Sequence, residues 1–190
     1  MAKLFFKYGT MKSGKTTHLL MTAHNYTSQG KEVMIFTSCQ DDRWGKAKVR
    51  SRIGIQKEAR IVTPNLFHEI SAYASANDIS CILVDEAQFL TKEDILGFAT
   101  VVDVMNIPVI CYGLKNDFQN NLFEGSKALL EYADEIELIK TVCEFENCNK
   151  RATMNMRLLD GKPVIDGEQI QIGDEEYVPL CRKHYFANIK

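Results

Sequence analysis

Gly9-Thr10-Met11-Lys12-Ser13-Gly14-Lys15-Thr16 fits the pattern G-x-x-x-x-G-K-[ST] at every fixed position. Each part of that pattern has a physical task. The glycines let successive backbone N–H groups turn toward phosphate oxygens with no Cβ in the way. A helix that follows adds its N-terminal amides and its dipole to the same anion. Lys15 brings a point charge for the β- and γ-phosphates, and Thr16 a hydroxyl for Mg²⁺. A chance match in a chain of this length is roughly a one-percent event at average glycine usage.

A second set of residues completes such a site. The apolar run Cys81-Ile82-Leu83-Val84 ends in Asp85-Glu86. An acid at the end of a buried strand is the usual partner of a phosphate loop, so Asp85 is expected to hold Mg²⁺, directly or through water. Glu86 falls near the expected γ-phosphate, where a carboxylate can accept the proton of an attacking hydroxyl. Two solvated loop acids are the plainer alternative. The pair does not identify the nucleophile. In an ATPase the same glutamate would activate water, in a kinase a substrate alcohol.

A third set lies late in the chain. Cys143-x4-Cys148 and Cys181-x2-His184 make two ligand pairs about thirty residues apart. Three thiolates and an imidazole suit a tetrahedral structural zinc with no open position, so no catalysis is expected at the metal. A segment of roughly fifty residues has too little core of its own, which gives a metal clip a structural purpose. Free thiols beside an unrelated histidine are the alternative.

These residues need a scaffold. Short apolar runs alternate with helical patterns over residues 1–140. Strands are predicted at Leu4–Tyr8, Glu32–Thr37, Cys81–Asp85 and Pro108–Tyr112. Helices are predicted from about Lys15 to Gln29, ended by Gly30, at Leu66–Ala76, from Thr91 to Asn106 and at Gly125–Ala133. Thr91 and Asp94 have capping-box spacing. Gln40–Lys57 is polar and aperiodic and reads as a long loop, a length that often marks a lid or binding segment. Near-continuous apolar strands alternating with helices imply a parallel sheet with helices on both faces and ligands at one strand-end edge. From Thr141 the rhythm changes, so the predicted organisation is an α/β domain at 1–140 and a small zinc-binding subdomain at 141–190.

Composition narrows the function classes. The 190 residues carry a net charge of −2, without the basic surplus expected of a general nucleic-acid binder. No apolar stretch approaches a membrane span and the first residues do not form a signal peptide, so a cytoplasmic protein with reduced thiols is expected. Of the six cysteines, Cys39, Cys81 and Cys111 read as core thiols in or beside strands.

The chain resembles the cytosolic, zinc-containing (type II) thymidine kinase family nearly end to end. The resemblance rests on the phosphate loop, Asp42-Arg43-Trp44-Gly45, Ser51-Arg52-Ile53-Gly54 and Asp85-Glu86-Ala87-Gln88-Phe89. It continues through Tyr112-Gly113-Leu114-Lys115-Asn116-Asp117-Phe118-Gln119 and Leu122-Phe123-Glu124-Gly125-Ser126 to Cys181-Arg182-Lys183-His184-Tyr185. It implies a RecA-like phosphate-loop fold with a zinc subdomain that carries a base-covering lasso, Ala152–Tyr177. It implies ATP and thymidine, with deoxyuridine as a second acceptor, and Glu86 as general base on the 5′-hydroxyl. Thr17 and Gln88 join Gly9–Thr16 and Asp85 in the implied ATP set. Met11, Leu114, Phe118 and Phe123 become thymine-pocket candidates, and Phe89 a neighbour of the nucleoside. Asn155 and Gln171 fall at base-contacting lasso positions, and Tyr177 at one that reaches the 3′-hydroxyl. Arg157 would fix the shape of the lasso, a solvated arginine being the alternative. Asp41, Asp42 and Arg43 would sit in a lid. A homotetramer, feedback by dTTP and a role in nucleotide salvage for DNA synthesis are also implied. The chain departs from the family in having one glycine, Gly173, before Tyr177, and a wide first cysteine pair.

Two rivals share parts of this pattern. A nucleic-acid-coupled ATPase would use the same loop and acids, and a zinc-ribbon module could use nucleotide only as a switch. The near-neutral charge and the lasso-like segment weigh against both.

Overall fold

The computed structural model describes residues 1–39, 47–169 and 176–189. In chain order the elements are β1 (Leu4–Tyr8), α1 (Lys15–Thr27), β2 (Glu32–Thr37), β3 (Lys48–Arg50), β4 (Gln56–Glu58) and β5 (Arg60–Ile61). They continue with α2 (Leu66–Ala74), β6 (Ile79–Asp85), a 3₁₀ turn at Ala87–Phe89, α3 (Lys92–Met105), β7 (Val109–Gly113), α4 (Glu124–Tyr132) and β8 (Glu135–Leu138). The last part comprises β9 (Met154–Leu159), β10 (Lys162–Pro163), β11 (Glu176–Leu180) and α5 (Arg182–Asn188).

Six strands form one parallel sheet in the order β5-β2-β6-β7-β1-β8. Period-two alternation divides its faces. Met34, Phe36, Ile82, Val84 and Cys111 pack with α2, α3 and α4, whereas Ile35, Cys81, Leu83 and Tyr112 pack against Leu19, Leu20 and Ala23 of α1. Burying one such side chain completely contributes roughly 1.5–3 kcal/mol, and both faces are covered, so the strands are apolar almost throughout. This is the parallel α/β sheet with helices on both faces that the alternation predicts.

Local signals place the helix ends. Thr91 caps α3 in a full capping box with Asp94, and Asn106 ends it in the left-handed region at φ 53°. Gly30 leaves the turn after α1 at φ 73°. In register, Tyr8 pairs with Gly113, Thr37 with Asp85, and Val84 with Cys111. That alignment brings the residues after β1, β6 and β7 to one edge of the sheet.

The structure corrects three expectations. The segment Gln40–Lys57 is not loop throughout, because β3 and β4 form an antiparallel hairpin with Val49 opposite Lys57. Its strands are short and mostly exposed, so no apolar alternation announces them. Strand β8 was not predicted. It is an exposed edge strand of sequence EIEL, attached to β1 and held by Lys3–Glu135 and Lys7–Glu137 ion pairs, with no continuous apolar run. Cys39 is exposed, whereas Cys81 and Cys111 are core thiols as expected. Cys39 lies just past the end of β2, beyond the sheet that would bury it.

Strands β9, β10 and β11 form a separate antiparallel sheet in the order β10-β9-β11. A small cluster of Cys143, Met156, Leu180, Cys181 and Tyr185 packs beneath it. No helix among the described residues is long and apolar enough to cross a membrane.

Candidate active site

The phosphate loop joins β1 to α1. Lys12 and Gly14 adopt left-handed backbone, at φ 60° and 82°. Gly9 is required for a different reason: a Cβ there would lie 2.4 Å from Ser13 Oγ and 2.8 Å from Ile139 O. Lys15 is buried and its Nζ donates to Thr10 O at 2.9 Å across the loop. The buried hydroxyls of Thr10 and Ser13 have no protein partner among the described residues. A loop that curls this tightly around donor groups fits an anionic ligand better than an ordinary turn.

The acidic pair meets this loop. Thr16 Oγ1 donates to Asp85 Oδ2 at 3.0 Å, so the two residues expected to serve Mg²⁺ lie together. The donor set, one hydroxyl and one carboxylate beside a phosphate loop, suits a hard cation that takes oxygen ligands. Burial first, then the neighbouring Glu86 charge, push the Asp85 carboxyl up to about 7, against the opposing Thr16 hydrogen bond.

This shift has a sign. Raised in the folded protein from 3.8 to about 7, Asp85 favours folding relative to its charged form when it is protonated, so stability falls as pH rises through that range. Asp85→Asn keeps an oxygen for Thr16 and removes the charge. In the protein free of metal and nucleotide, this variant should melt higher than the parent at pH 8, and by a clearly smaller margin at pH 5, because the penalty on the charged form starts to build up only above about 3.8. Thermal melts across that range check it, and an equal difference at both pH values would contradict the burial argument.

Glu86 follows Asp85 with left-handed backbone at φ 50° and caps the 3₁₀ turn. A residue with a Cβ costs roughly 1–2 kcal/mol in that region, so the surrounding contacts must hold it there. Gln88 supplies one of them, its Nε2 donating to Glu86 Oε2 at 2.6 Å.

Met11, Lys12, Gly14, Lys15, Thr16 and Thr17 line a cleft of about 240 Å³ together with Asp85 and Glu86. Gly9, Thr10, Ser13 and Gln88 do not line it. Its other wall comes from the Gln40–Lys57 segment expected to act as a lid or binding loop, through residues not singled out as site candidates. The β3–β4 hairpin folds over the phosphate loop and brings Lys48, Arg50, Ser51 and Arg52 to the same cleft. Ser51-Arg52-Ile53-Gly54 is the hairpin connection, and Gly54 turns it at φ 91°. A glycine-bearing connection of this length is the signal that would have found it.

The expected acceptor-side residues gather behind the cleft. Leu114 N–H donates to Gln88 Oε1, and Phe89 meets Phe123 edge-on at 5.7 Å. Leu114, Phe118 and Phe123 are buried, and of the thymine-pocket candidates Met11 alone lines the cleft. Arg157 is buried, not solvated. Its guanidinium lies 4.7 Å from the centre of the Phe118 ring and Nη1 donates to Glu168 O at 3.1 Å. Gln169 Nε2 donates to Asp117 Oδ2 and Gln119 Nε2 to Ile165 O. These bonds tie the segment after β10 to the segment after β7. Asn155 uses its side chain as a strut, accepting from Met11 N–H at 2.7 Å and reaching toward Asn116 O. Tyr177 pairs with Arg157 across β11 and β9. Gln171, Asp41, Asp42 and Arg43 lie outside the described residues.

The zinc set also comes together. The ligand atoms of Cys143, Cys148, Cys181 and His184 all lie within 4.8 Å of one another. His184 Nδ1 is 3.5 Å from Cys143 Sγ and 3.6 Å from Cys181 Sγ. A tetrahedral zinc with Zn–S of about 2.3 Å and Zn–N of about 2.0 Å needs ligand separations of about 3.5–3.8 Å, so the donors fit the ion. Asn147 turns the wide Cys143–Cys148 connection at φ 56°. Phe145 stacks on the His184 ring at 4.0 Å and fixes its plane. The subdomain reaches the phosphate loop through Lys12–Glu144 at 2.8 Å as well as through Asn155.

Comparison with known proteins bears on this arrangement. The thymidine kinase family model matches residues 2–185. A thymidine kinase of Enterococcus faecalis is 53% identical over 191 residues, covering 98% of this chain and 95% of that protein. One from Lactococcus lactis is 53% identical over 98% of both chains, and one from Streptococcus pyogenes 52% identical over 98% of both. A phosphate loop beside an acidic pair, a Cys₃His cluster and full-length similarity at this level agree, and the chain belongs to the thymidine kinase family.

Proposed function

We propose that the chain transfers the γ-phosphate of ATP to the 5′-hydroxyl of thymidine, and of deoxyuridine, giving the nucleoside monophosphate. The observation that carries this reading is Glu86 on the wall of the cleft that Lys15 and Thr16 also line. Family membership supplies the acceptor.

Residues Gly9–Thr16 and Thr17 cradle the triphosphate, and Lys15 offsets charge that develops on the phosphoryl oxygens. Thr16 and Asp85 would hold Mg²⁺, which when bound would neutralise charge on the phosphates. Glu86 takes the 5′-hydroxyl proton as the oxygen attacks phosphorus in line and the bond to ADP breaks. Met11, Phe89, Leu114, Phe118, Phe123, Asn155 and Tyr177 form the acceptor side, with Arg157 holding the lasso in shape. Residues 1–140 act as the ATP-binding domain and 141–190 as the zinc-pinned cover. A zinc held by Cys143, Cys148, Cys181 and His184 would be structural, since four protein ligands would leave it no open position. The resemblance to cytosolic zinc-containing relatives supports a cytoplasmic homotetramer under feedback by dTTP.

The direct test supplies ATP with each deoxynucleoside in turn and follows nucleoside monophosphate. Thymidine should give dTMP with one ADP released per product. ADP release that ignores nucleosides and rises with DNA or RNA would replace this reading with a nucleic-acid-coupled ATPase.

A further inference from the structure

We propose that Gln88 is a positioning residue that clamps the Glu86 carboxylate to the end of β7, and is not a contact for ATP. The inference rests on Glu86 as the base.

Gln88 is 2% exposed and does not line the cleft. Both ends of its amide are engaged within the protein. Oε1 accepts from Leu114 N–H at 2.9 Å, and Nε2 donates to Glu86 Oε2 at 2.6 Å. The amide has only one workable orientation. A backbone N–H can only donate and a carboxylate only accept, so the oxygen must face Leu114 and the nitrogen Glu86.

The surrounding backbone leaves room for this amide and little else. A Cβ at Gly113 would stand 2.8 Å from Gln88 Oε1 and 3.0 Å from Gln88 N. A Cβ at Gly125 would stand 2.3 Å from Ala87 O and 2.7 Å from Leu90 O. Two glycines thus let β7 and α4 press directly on the turn that carries Gln88. Leu114 is anchored in turn, its carbonyl accepting from Ser126 Oγ. The carboxylate is therefore referenced to the β7 end and to α4 as well as to its own strand.

The energetic reason is the flexibility of glutamate. Its carboxylate turns about three side-chain torsions, yet a general base must lie within hydrogen-bond reach of the proton that it takes. A misplacement of about 1 Å can cost about a hundredfold in rate. A fixed, desolvated amide restricts that freedom without offering a competing base. Because Leu114 belongs to the proposed acceptor side, the same amide sets the base and one wall of that pocket in a single frame.

The test uses the full-length chain and four variants, Gln88→Met, Gln88→Glu, Glu86→Gln and the double Glu86→Gln/Gln88→Met. Met has nearly the shape of Gln and makes neither bond. Glu keeps an oxygen for Leu114 N–H and has no amide to give Glu86. Gln88→Met should lower kcat by about 30- to 100-fold and leave the calorimetric Kd for Mg·ATP within about threefold. Gln88→Glu should lower kcat by at least about tenfold with the Leu114 bond kept, and it carries the test if the Met variant fails to fold. The double variant should be no slower than Glu86→Gln alone, because a residue that acts only through Glu86 has nothing left to position. A weakened Mg·ATP affinity with kcat retained in Gln88→Met would make Gln88 an ATP contact and overturn the proposal. Additive losses in the double variant would overturn it as well. If Glu86→Gln is inactive and both Gln88 variants turn over normally, only the clamp fails. If Glu86→Gln is fully active, the base assignment fails first and takes the clamp with it.

Discussion

Glu86→Gln should turn over about a thousandfold more slowly than the parent while both substrates still bind. The amide is nearly isosteric with the carboxylate and has an oxygen that can still accept from Gln88 Nε2, which donates to Glu86 at 2.6 Å in the parent. What it lacks is basicity, so the 5′-oxygen would have to attack with its proton still attached. Lys15, the loop amides and the acceptor pocket are untouched, so the loss should fall on kcat and not on affinity. Single-turnover formation of dTMP, with calorimetric Kd values for Mg·ATP and for thymidine, measures the two quantities separately. A variant within tenfold of the parent would remove Glu86 from the chemistry.

Removal of zinc should have an effect of comparable size, by a different route. The antiparallel sheet and α5 rest on a cluster of five buried residues, two of which are the ligands Cys143 and Cys181. Structural zinc contributes about 10–16 kcal/mol of apparent binding energy in small domains, far more than so small a cluster supplies. Without the ion, three thiols and a histidine ring would be held together for no gain. Cys148→Ser, or a strong chelator on the parent, should therefore loosen β9, β11 and α5 and with them Arg157 and Tyr177. Thymidine affinity is expected to fall by more than about a hundredfold. Mg·ATP affinity should fall less, because Met11 N–H and Lys12 lose only the struts from Asn155 and Glu144. Metal analysis should find one zinc per chain in the parent and none in the chelated protein. A fully zinc-free chain that binds thymidine as well as the parent would show that the cluster has another role.

The two effects are separable in the laboratory. The first leaves zinc content and nucleoside binding unchanged and slows turnover. The second changes melting, zinc content and nucleoside binding together.

Much of this was determined by local sequence. The phosphate loop, the apolar strand ending in Asp85-Glu86, the capping box at Thr91 and the two metal-ligand pairs depend on near neighbours, and near neighbours are what a linear pattern records. β2 has the bounds its apolar run suggests, and β6 begins only two residues before its predicted start. Other features were decided by the folded chain. The β3–β4 hairpin has too few buried side chains to mark itself, and only its return over the phosphate loop brings Lys48, Arg50 and Arg52 to the cleft. Edge strand β8 is readable only once β1 offers it a free side. Asn155 reaches Met11 across 144 positions, and Gln88 reaches Leu114 across 26, so neither bond has a local signature. Arg157 could have been a solvated cation until Phe118 and Glu168 came to lie beside it. The sequence names the chemical groups because chemistry belongs to residue types. Tertiary structure assigns their partners, because a hydrogen bond or a packed ring needs proximity that only the closed fold provides.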